Sequence, residues 1–171
     1  MKSHIKVAAL AASALVAALA LAHDARAQQK TLREQLVGSW ALVLSDNHAA
    51  DGTTKGTFGT NPKGSLILSA DGRYTQIQID LDRPKFKSNN RLQGTPEENA
   101  AAVNGTTASF GTWTVDETEQ ALTYNVEGAL YPNAIGGTEK RVVTVTGDEL
   151  KYVNRGGPGG SWGEVIYRRI K

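Results

Sequence analysis

Between residues 37 and 170, apolar side chains recur at every second position in short runs separated by glycine, asparagine and aspartate. A period of two places alternate side chains on opposite faces of a strand. The runs Val37–Ser45, Gly64–Ala70, Arg73–Leu81, Ser109–Asp116, Ala121–Leu130, Glu139–Thr146, Glu149–Asn154 and Ser161–Ile170 therefore predict about eight strands. Asp71-Gly72 and Gly147-Asp148 are tight-turn dipeptides. The pattern changes only at Thr95-Pro96-Glu97-Glu98, a capping box with proline at the first helical position, which predicts a helix to about Val103 that stops at Asn104-Gly105. A further helical turn is expected around Thr31–Leu36, with Thr31 and Glu34 placed as its cap. Strands of this spacing with almost no helix leave an antiparallel all-β barrel or sandwich.

Alternation also predicts which face is buried. In Arg73–Leu81, Thr75, Ile77, Ile79 and Leu81 lie on one side, with Tyr74, Gln76, Gln78 and Asp80 on the other. The isoleucine side is expected to be the interior. Arg141 shares a face with Val143 and Val145, whereas Glu127 lies opposite Val126 and Tyr124. An ion pair between Glu127 and Arg141 thus requires a bulge near Gly128 to reset the register.

The first 27 residues have a different composition. Lys2 and Lys6 precede an apolar run from Val7 to Ala22, and Ala25-Arg26-Ala27 supplies a small-x-small cleavage site. The run is shorter than the roughly 20 residues that span a bilayer. A cleaved export signal over 1–27 is expected, with one domain over 28–171, a periplasmic or secreted location and no stable membrane anchor after cleavage.

The leader also carries the charge excess. The net charge of +2 disappears when Lys2, Lys6, Arg26 and Asp24 are removed. A nucleic-acid-binding surface, which needs a basic excess, is not expected. The chain has no cysteine, so no disulfide supports the fold and no thiol can act as nucleophile. Outside the leader, His48 is the one histidine. Asp46, His48 and Asp51 match a metal cluster only in the sense that they match ordinary turn composition. Gly159-Gly160-Ser161-Trp162-Gly163 has the spelling of a hydrolase elbow, but a strand rather than a helix follows and no histidine remains downstream. No cofactor is implied.

The segment Asp82–Gly94 is a long loop in which Arg83, Lys85, Lys87 and Arg91 occur without an acid from 83 to 91. It reads either as a solvated loop or as a lid that attracts an anion. Phe86 within it needs an apolar place to dock.

Five stretches taken together resemble a known family. They are Leu36-Val37-Gly38-Ser39-Trp40; Phe58-Gly59-x-Asn61-Pro62-x-Gly64 with Asp71-Gly72-Arg73; Arg83-Pro84-x-Phe86 with Gly94-Thr95-Pro96-Glu97-Glu98; Phe110-Gly111-Thr112-Trp113; and Val126-Glu127-Gly128-x-Leu130-Tyr131-Pro132-Asn133 with Gly136 and Arg141. In order and spacing they resemble the lipocalin-like domain family of bacterial and fungal proteins. The resemblance implies an all-β, antiparallel up-and-down lipocalin-like β-barrel of about eight strands with one short helix, and a cavity for a small apolar or amphipathic ligand. It also implies that Trp40 packs under Arg168 or Arg169 at the closed end. The chain departs from the family at Tyr124-Asn125, where histidines are usual, and at Ala134, where a tryptophan usually follows the Pro-Asn pair.

The expected ligand-contacting residues are Ile77, Ile79, Trp113, Tyr124, Val126, Glu127 and Val143, with Arg141 as polar anchor and Arg83 and Phe86 at the mouth. Trp113 fluorescence is expected to report the bound molecule. The alternative is an isomerase, cyclase or hydratase on the same barrel, with Glu127 or a tyrosine as acid-base.

Overall fold

The computed structural model describes residues 30–155 and 157–171. The expected export signal lies outside the described residues. Leu32–Lys171 form one compact unit.

Helix α1 (Leu32–Leu36) precedes nine strands: β1 Gly38–His48, β2 Thr54–Gly56, β3 Pro62–Leu68, β4 Arg73–Asp80, β5 Thr106–Asp116, β6 Ala121–Ala129, β7 Thr138–Thr146, β8 Glu149–Asn154 and β9 Trp162–Arg169. Helix α2 (Pro96–Asn104) connects β4 to β5. Every neighbour pair is antiparallel, and β9 returns to pair with β1 from Trp40↔Arg169 to His48↔Trp162. The sheet therefore closes into an eight-stranded up-and-down barrel, with β2 as an extra short strand on the far end of β1. Closure leaves the barrel strands no free edge of any length. The eight expected strands are all present, and β2 falls inside the connection expected to be irregular.

Two register shifts shape the barrel. One lies in β1 between Leu42 and Leu44. The other sets Phe110↔Gly128 beside Gly111↔Val126, so Glu127 is an extra residue on β6. The Phe110 ring lies over Gly128, where an added Cβ would come within 2.3 Å of it.

The closed end is a packed apolar plug. Leu32 and Leu36 of α1 join Trp40, Leu66, Leu68, Trp113, Leu122 and Leu150 in one buried cluster. The Glu117 carboxylate, in the β5–β6 turn, accepts the Leu32 and Arg33 amides at 2.8 and 3.0 Å and so starts α1. The Arg169 guanidinium stacks 4.0 Å from the Trp40 ring and donates to the Val37 and Gln35 carbonyls. Arginine 169, rather than 168, is the cation that seals this end. A guanidinium on an indole face contributes about 0.5–2 kcal/mol.

The capping box forms as expected: Glu98 N donates to Thr95 Oγ1 at 3.2 Å, and Glu98 Oε2 accepts from Thr95 N at 2.9 Å. Glu98 also accepts the Lys87 amide at 3.0 Å, which ties the basic loop to the helix. These amides, Lys87 first and Thr95 next, hold the Glu98 carboxyl below its usual range.

The expected interior face of β4 is reversed. Tyr74 and Gln78 are buried, at 3% and 4% exposure, while Ile77 and Ile79 alternate with them on the outer face and are only half-buried. Cross-strand pairing fixes this arrangement: Leu68, Tyr74 and Gly111 share one inward row, and Ser65, Ile77 and Ala108 share an outward row three residues along. A polar face can point inward here because its groups find partners inside. Gln78 Nε2 donates to the Tyr167 hydroxyl at 2.6 Å, and the Tyr74 hydroxyl donates to Ser109 Oγ at 3.3 Å.

Candidate ligand site at the open end of the barrel

The open end lies opposite α1, where β4, β6 and β8 finish and β5, β7 and β9 begin. Below it, the inward side chains of the middle of the barrel are dominated by phenols. The Tyr74 and Tyr124 rings lie 4.5 Å apart, and those of Tyr152 and Tyr167 6.2 Å apart. Tyr152 reaches the Tyr167–Gln78 pair through its hydroxyl. Burial raises the pKa of Tyr152 and pushes Tyr124 and Tyr167 well above the ordinary phenol value, so all are neutral hydroxyls near neutral pH.

Tyr124 differs from the other three. It is 2% exposed, and its hydroxyl has no hydrogen-bond partner. Natural interiors rarely leave such a group unpaired, since its desolvation costs about 1–3 kcal/mol. Directly across from it on β7 is Glu139.

Glu139 lines a cleft of about 380 Å³ above this layer. Inward residues Gln76, Thr107, Ser109 and Ala129 also contribute to the wall. The rim is apolar: Val103 from the end of α2, and Leu130 and Tyr131 from the β6–β7 connection, all exposed. The cleft thus combines an apolar entrance with a few convergent polar groups, the usual make-up of a small-molecule site.

Arg141 also points inward. Its Nη2 donates to Glu139 Oε2 at 2.7 Å, its Nη1 to the Lys140 carbonyl at 3.1 Å, and its guanidinium lies 5.9 Å from the Tyr152 ring centre. Val126 and Val143 are buried in the wall.

Four expected site residues are placed elsewhere. Ile77 and Ile79 face outward, as described above. Trp113 belongs to the closed end: it is 1% exposed, its Nε1 donates to the Ser69 carbonyl at 3.0 Å, and Arg33 stacks 4.5 Å from its ring. Glu127 lies on the outer surface in a two-pronged pair with Arg73 at 2.6 and 2.9 Å, which lowers the pKa of its carboxyl. The bulge at Glu127 leaves that side chain outside, so Glu127 and Arg141 occupy opposite sides of the wall.

Arg83 and Phe86 do lie at the open end, but Arg83 is engaged in holding backbone. Its Nε donates to the Asp80 carbonyl at 2.7 Å, and its Nη1 reaches the Ala102 carbonyl at 3.1 Å and Thr106 Oγ1. It thereby ties the last turn of α2 to the β4 terminus. Phe86 docks beside Gly94 and lines a separate surface hollow of about 550 Å³ with Leu81, Pro84 and Arg91.

Sequence reasoning missed Tyr74, Gln76, Ser109, Glu139 and Tyr152 as site residues. The signal for the first two was the alternation of tyrosine and glutamine in Tyr74-x-Gln76-x-Gln78. Among the described residues, no group of three or more His, Cys, Asp or Glu is placed to hold a metal ion.

No curated protein matches the chain. The sequence profile described as "Lipocalin-like domain" matches residues 37–162. That span runs from the residue before β1 to the first residue of β9 and includes both helix α2 and the cleft. With the closed antiparallel barrel around it, this match makes the chain a member of the lipocalin-like domain family.

Proposed function

We propose that the protein binds a small amphipathic molecule in the open-end cleft, with the apolar part against Val103, Leu130 and Tyr131 and a polar group directed down toward Tyr124. The observation that carries this reading is the unpartnered Tyr124 hydroxyl, buried beneath a cleft whose walls are built from both apolar and polar side chains. The leader at residues 1–27 supports export, so the ligand is met outside the cytoplasm.

The test is to purify the protein from its exported fraction, extract it with organic solvent and identify what is released. A single small amphiphile in stoichiometric amount, lost from a Val103→Arg/Leu130→Arg double variant that retains the fold, is the expected result. Retention of the same molecule by that variant would place the site elsewhere.

A second reading, acid-base catalysis on the same barrel, is favoured by one observation. Glu139 is a carboxylate on the inner face directly opposite the Tyr124 phenol, and it replaces Glu127 in that role. Turnover of the extracted molecule by the wild type but not by Glu139→Gln distinguishes catalysis from binding.

A further inference from the structure

The β7–β8 ladder stops short of the open end. Residues Thr138 to Asn125 and Arg141 to Leu122 mark the first half of β7 as paired with β6, but pairing with β8 begins only at Val142↔Val153. Continuing that register by one residue would set Arg141 beside Asn154, yet Asn154 pairs only with Gly163 on β9. The strands fork at this point, and a cleft of about 510 Å³ runs from the outer face of the ladder, at Val142, Thr144 and Val153, to the fork.

The lining of this cleft is strongly one-signed. Lys140, Arg141, Lys151 and Arg155 contribute to it together with Tyr152 and Asn154, and no acidic side chain does. Lys140 and Lys151 pair with Glu119 and Glu164. Arg141 reaches inward, and the acid that it holds, Glu139, belongs to the wall of the neighbouring open-end cleft. The Arg141–Glu139 pair is thus the partition between the two clefts.

That partition is weakly built. Arg141 uses one contact to Glu139 and one to its own strand, while a guanidinium carries five N–H donors. The pair is partly exposed, at 23% for Arg141 and 42% for Glu139, and its two members are only two residues apart on one strand. Partly exposed pairs of this kind contribute little to stability. Beside it the Asn154 side-chain oxygen is buried without a partner. Its amide can present either the oxygen or the NH2 group to an entering ligand.

We propose that the fork is a carboxylate-binding site: the Arg141 guanidinium exchanges Glu139 for the carboxylate of an amphipathic acid whose apolar chain occupies the open-end cleft. This inference rests on the binding reading above and names its ligand class. Glu139 is the internal stand-in that shows a carboxylate fits the guanidinium. Displacing it joins the two clefts into one path, from the apolar rim at Leu130 to the cations at the fork.

The test uses dodecanoate and dodecanol as probes, which share a chain and differ in head group, titrated calorimetrically into the mature protein. Wild type should prefer dodecanoate. Arg141→Gln should weaken dodecanoate by about 10-fold, the size of one charge-assisted hydrogen bond, and leave dodecanol unchanged. Arg141→Lys, which keeps the charge, tests the same point should the glutamine variant fail to fold, and should recover only part of the affinity. Glu139→Gln removes the internal competitor and should tighten dodecanoate about 3- to 10-fold on the same scale. Glu119→Gln, which frees Lys140 in the same cleft, should change it little.

Equal tightening by Glu139→Gln and Glu119→Gln would show a general field effect and overturn the exchange. Binding of both probes with no response to any variant overturns the carboxylate site and leaves the open-end reading intact. Binding of neither probe overturns that reading and the inference with it.

Discussion

Removing one oxygen atom from Tyr124 should make the protein more stable. Tyr124 is buried, and its hydroxyl has no partner. A phenylalanine ring fills the same space, so Tyr124→Phe removes an unpaired polar group without creating a sizeable cavity. The desolvation cost of such a group is about 1–3 kcal/mol. Taking the low end, the variant gains about 1 kcal/mol, or about 3–5 °C in Tm for a domain of this size. Tyr167→Phe is the chemically identical control. Its hydroxyl accepts from Gln78 Nε2 at 2.6 Å, and its loss leaves a buried amide without that partner, for a cost of about 1–3 kcal/mol. The two substitutions should therefore move the urea midpoint in opposite directions, with unchanged m-values. The assay is equilibrium urea unfolding of ligand-stripped protein, with thermal melts in parallel. If Tyr124→Phe loses as much stability as Tyr167→Phe, the hydroxyl is satisfied in the free protein and the basis for placing a ligand above it is gone.

Other consequences follow from the same geometry. Arg169→Met should cost about 2–3 kcal/mol by thermal melt, because it removes both the stack on Trp40 and the donors to the Val37 and Gln35 carbonyls; a loss within 0.5 kcal/mol, the range of an ordinary surface substitution, would contradict that role. Gly111→Ala should prevent folding, as its Cβ would come within 2.0 Å of the Asn125 carbonyl oxygen, and a soluble variant with a wild-type near-UV spectrum would refute the tight strand approach at the β5–β6 bulge. Alkaline pH should unfold the protein early. The phenols of Tyr124, Tyr152 and Tyr167 titrate above their unfolded value of 10.0, so above pH 10 the unfolded state releases protons first and stability falls, by up to about 1.4 kcal/mol per pH unit for each phenol. A flat stability profile from pH 9 to pH 11 would contradict their burial. At the acid side, Glu98 has its carboxyl pKa below the ordinary 4.5, so its support of the basic loop is complete above that pH and is lost as the pH falls below it. Proteolytic nicking within 82–94 should then increase before global unfolding, and simultaneous loss of both would refute a local role.

The sequence carried most of the scaffold because its punctuation is local. Asp71-Gly72 forms its turn with Gly72 at φ 88°, and Thr95 with Glu98 forms its box, since each needs only residues within one turn. The face of β4 was misread for a physical reason. Alternation reveals that a strand has two faces, and hydrophobicity is then used to decide which is inside. In this barrel the inward side of β4 is polar, and its groups are satisfied by Ser109 of β5 and Tyr167 of β9, sites far away in sequence. The outer isoleucines are left on a half-covered surface. Trp113 was correctly read as facing inward, but the period says nothing about depth along the axis. Depth depends on the register with β4 and β6, which puts Trp113 across from Tyr124, one step beyond Gly111 toward α1. The β7–β8 fork was invisible for the same reason, as it is a property of three strands at once.

The two ends of the barrel divide the labour between stability and recognition. At the closed end the buried Trp40 and Trp113 indoles each donate to a backbone carbonyl and carry a guanidinium on the ring, so both their apolar area and their one polar group are satisfied. Farther up the barrel the same chain leaves two inward side-chain polar atoms buried without a hydrogen-bond partner among the described residues, the Tyr124 hydroxyl and the Asn154 amide oxygen. These lie on β6 and β8, different staves of the barrel, so no single local misfit accounts for both. Such groups subtract from a stability that is small to begin with. A packed plug of leucines and tryptophans can support that loss, and a ligand that satisfies the orphan groups would return it as binding energy.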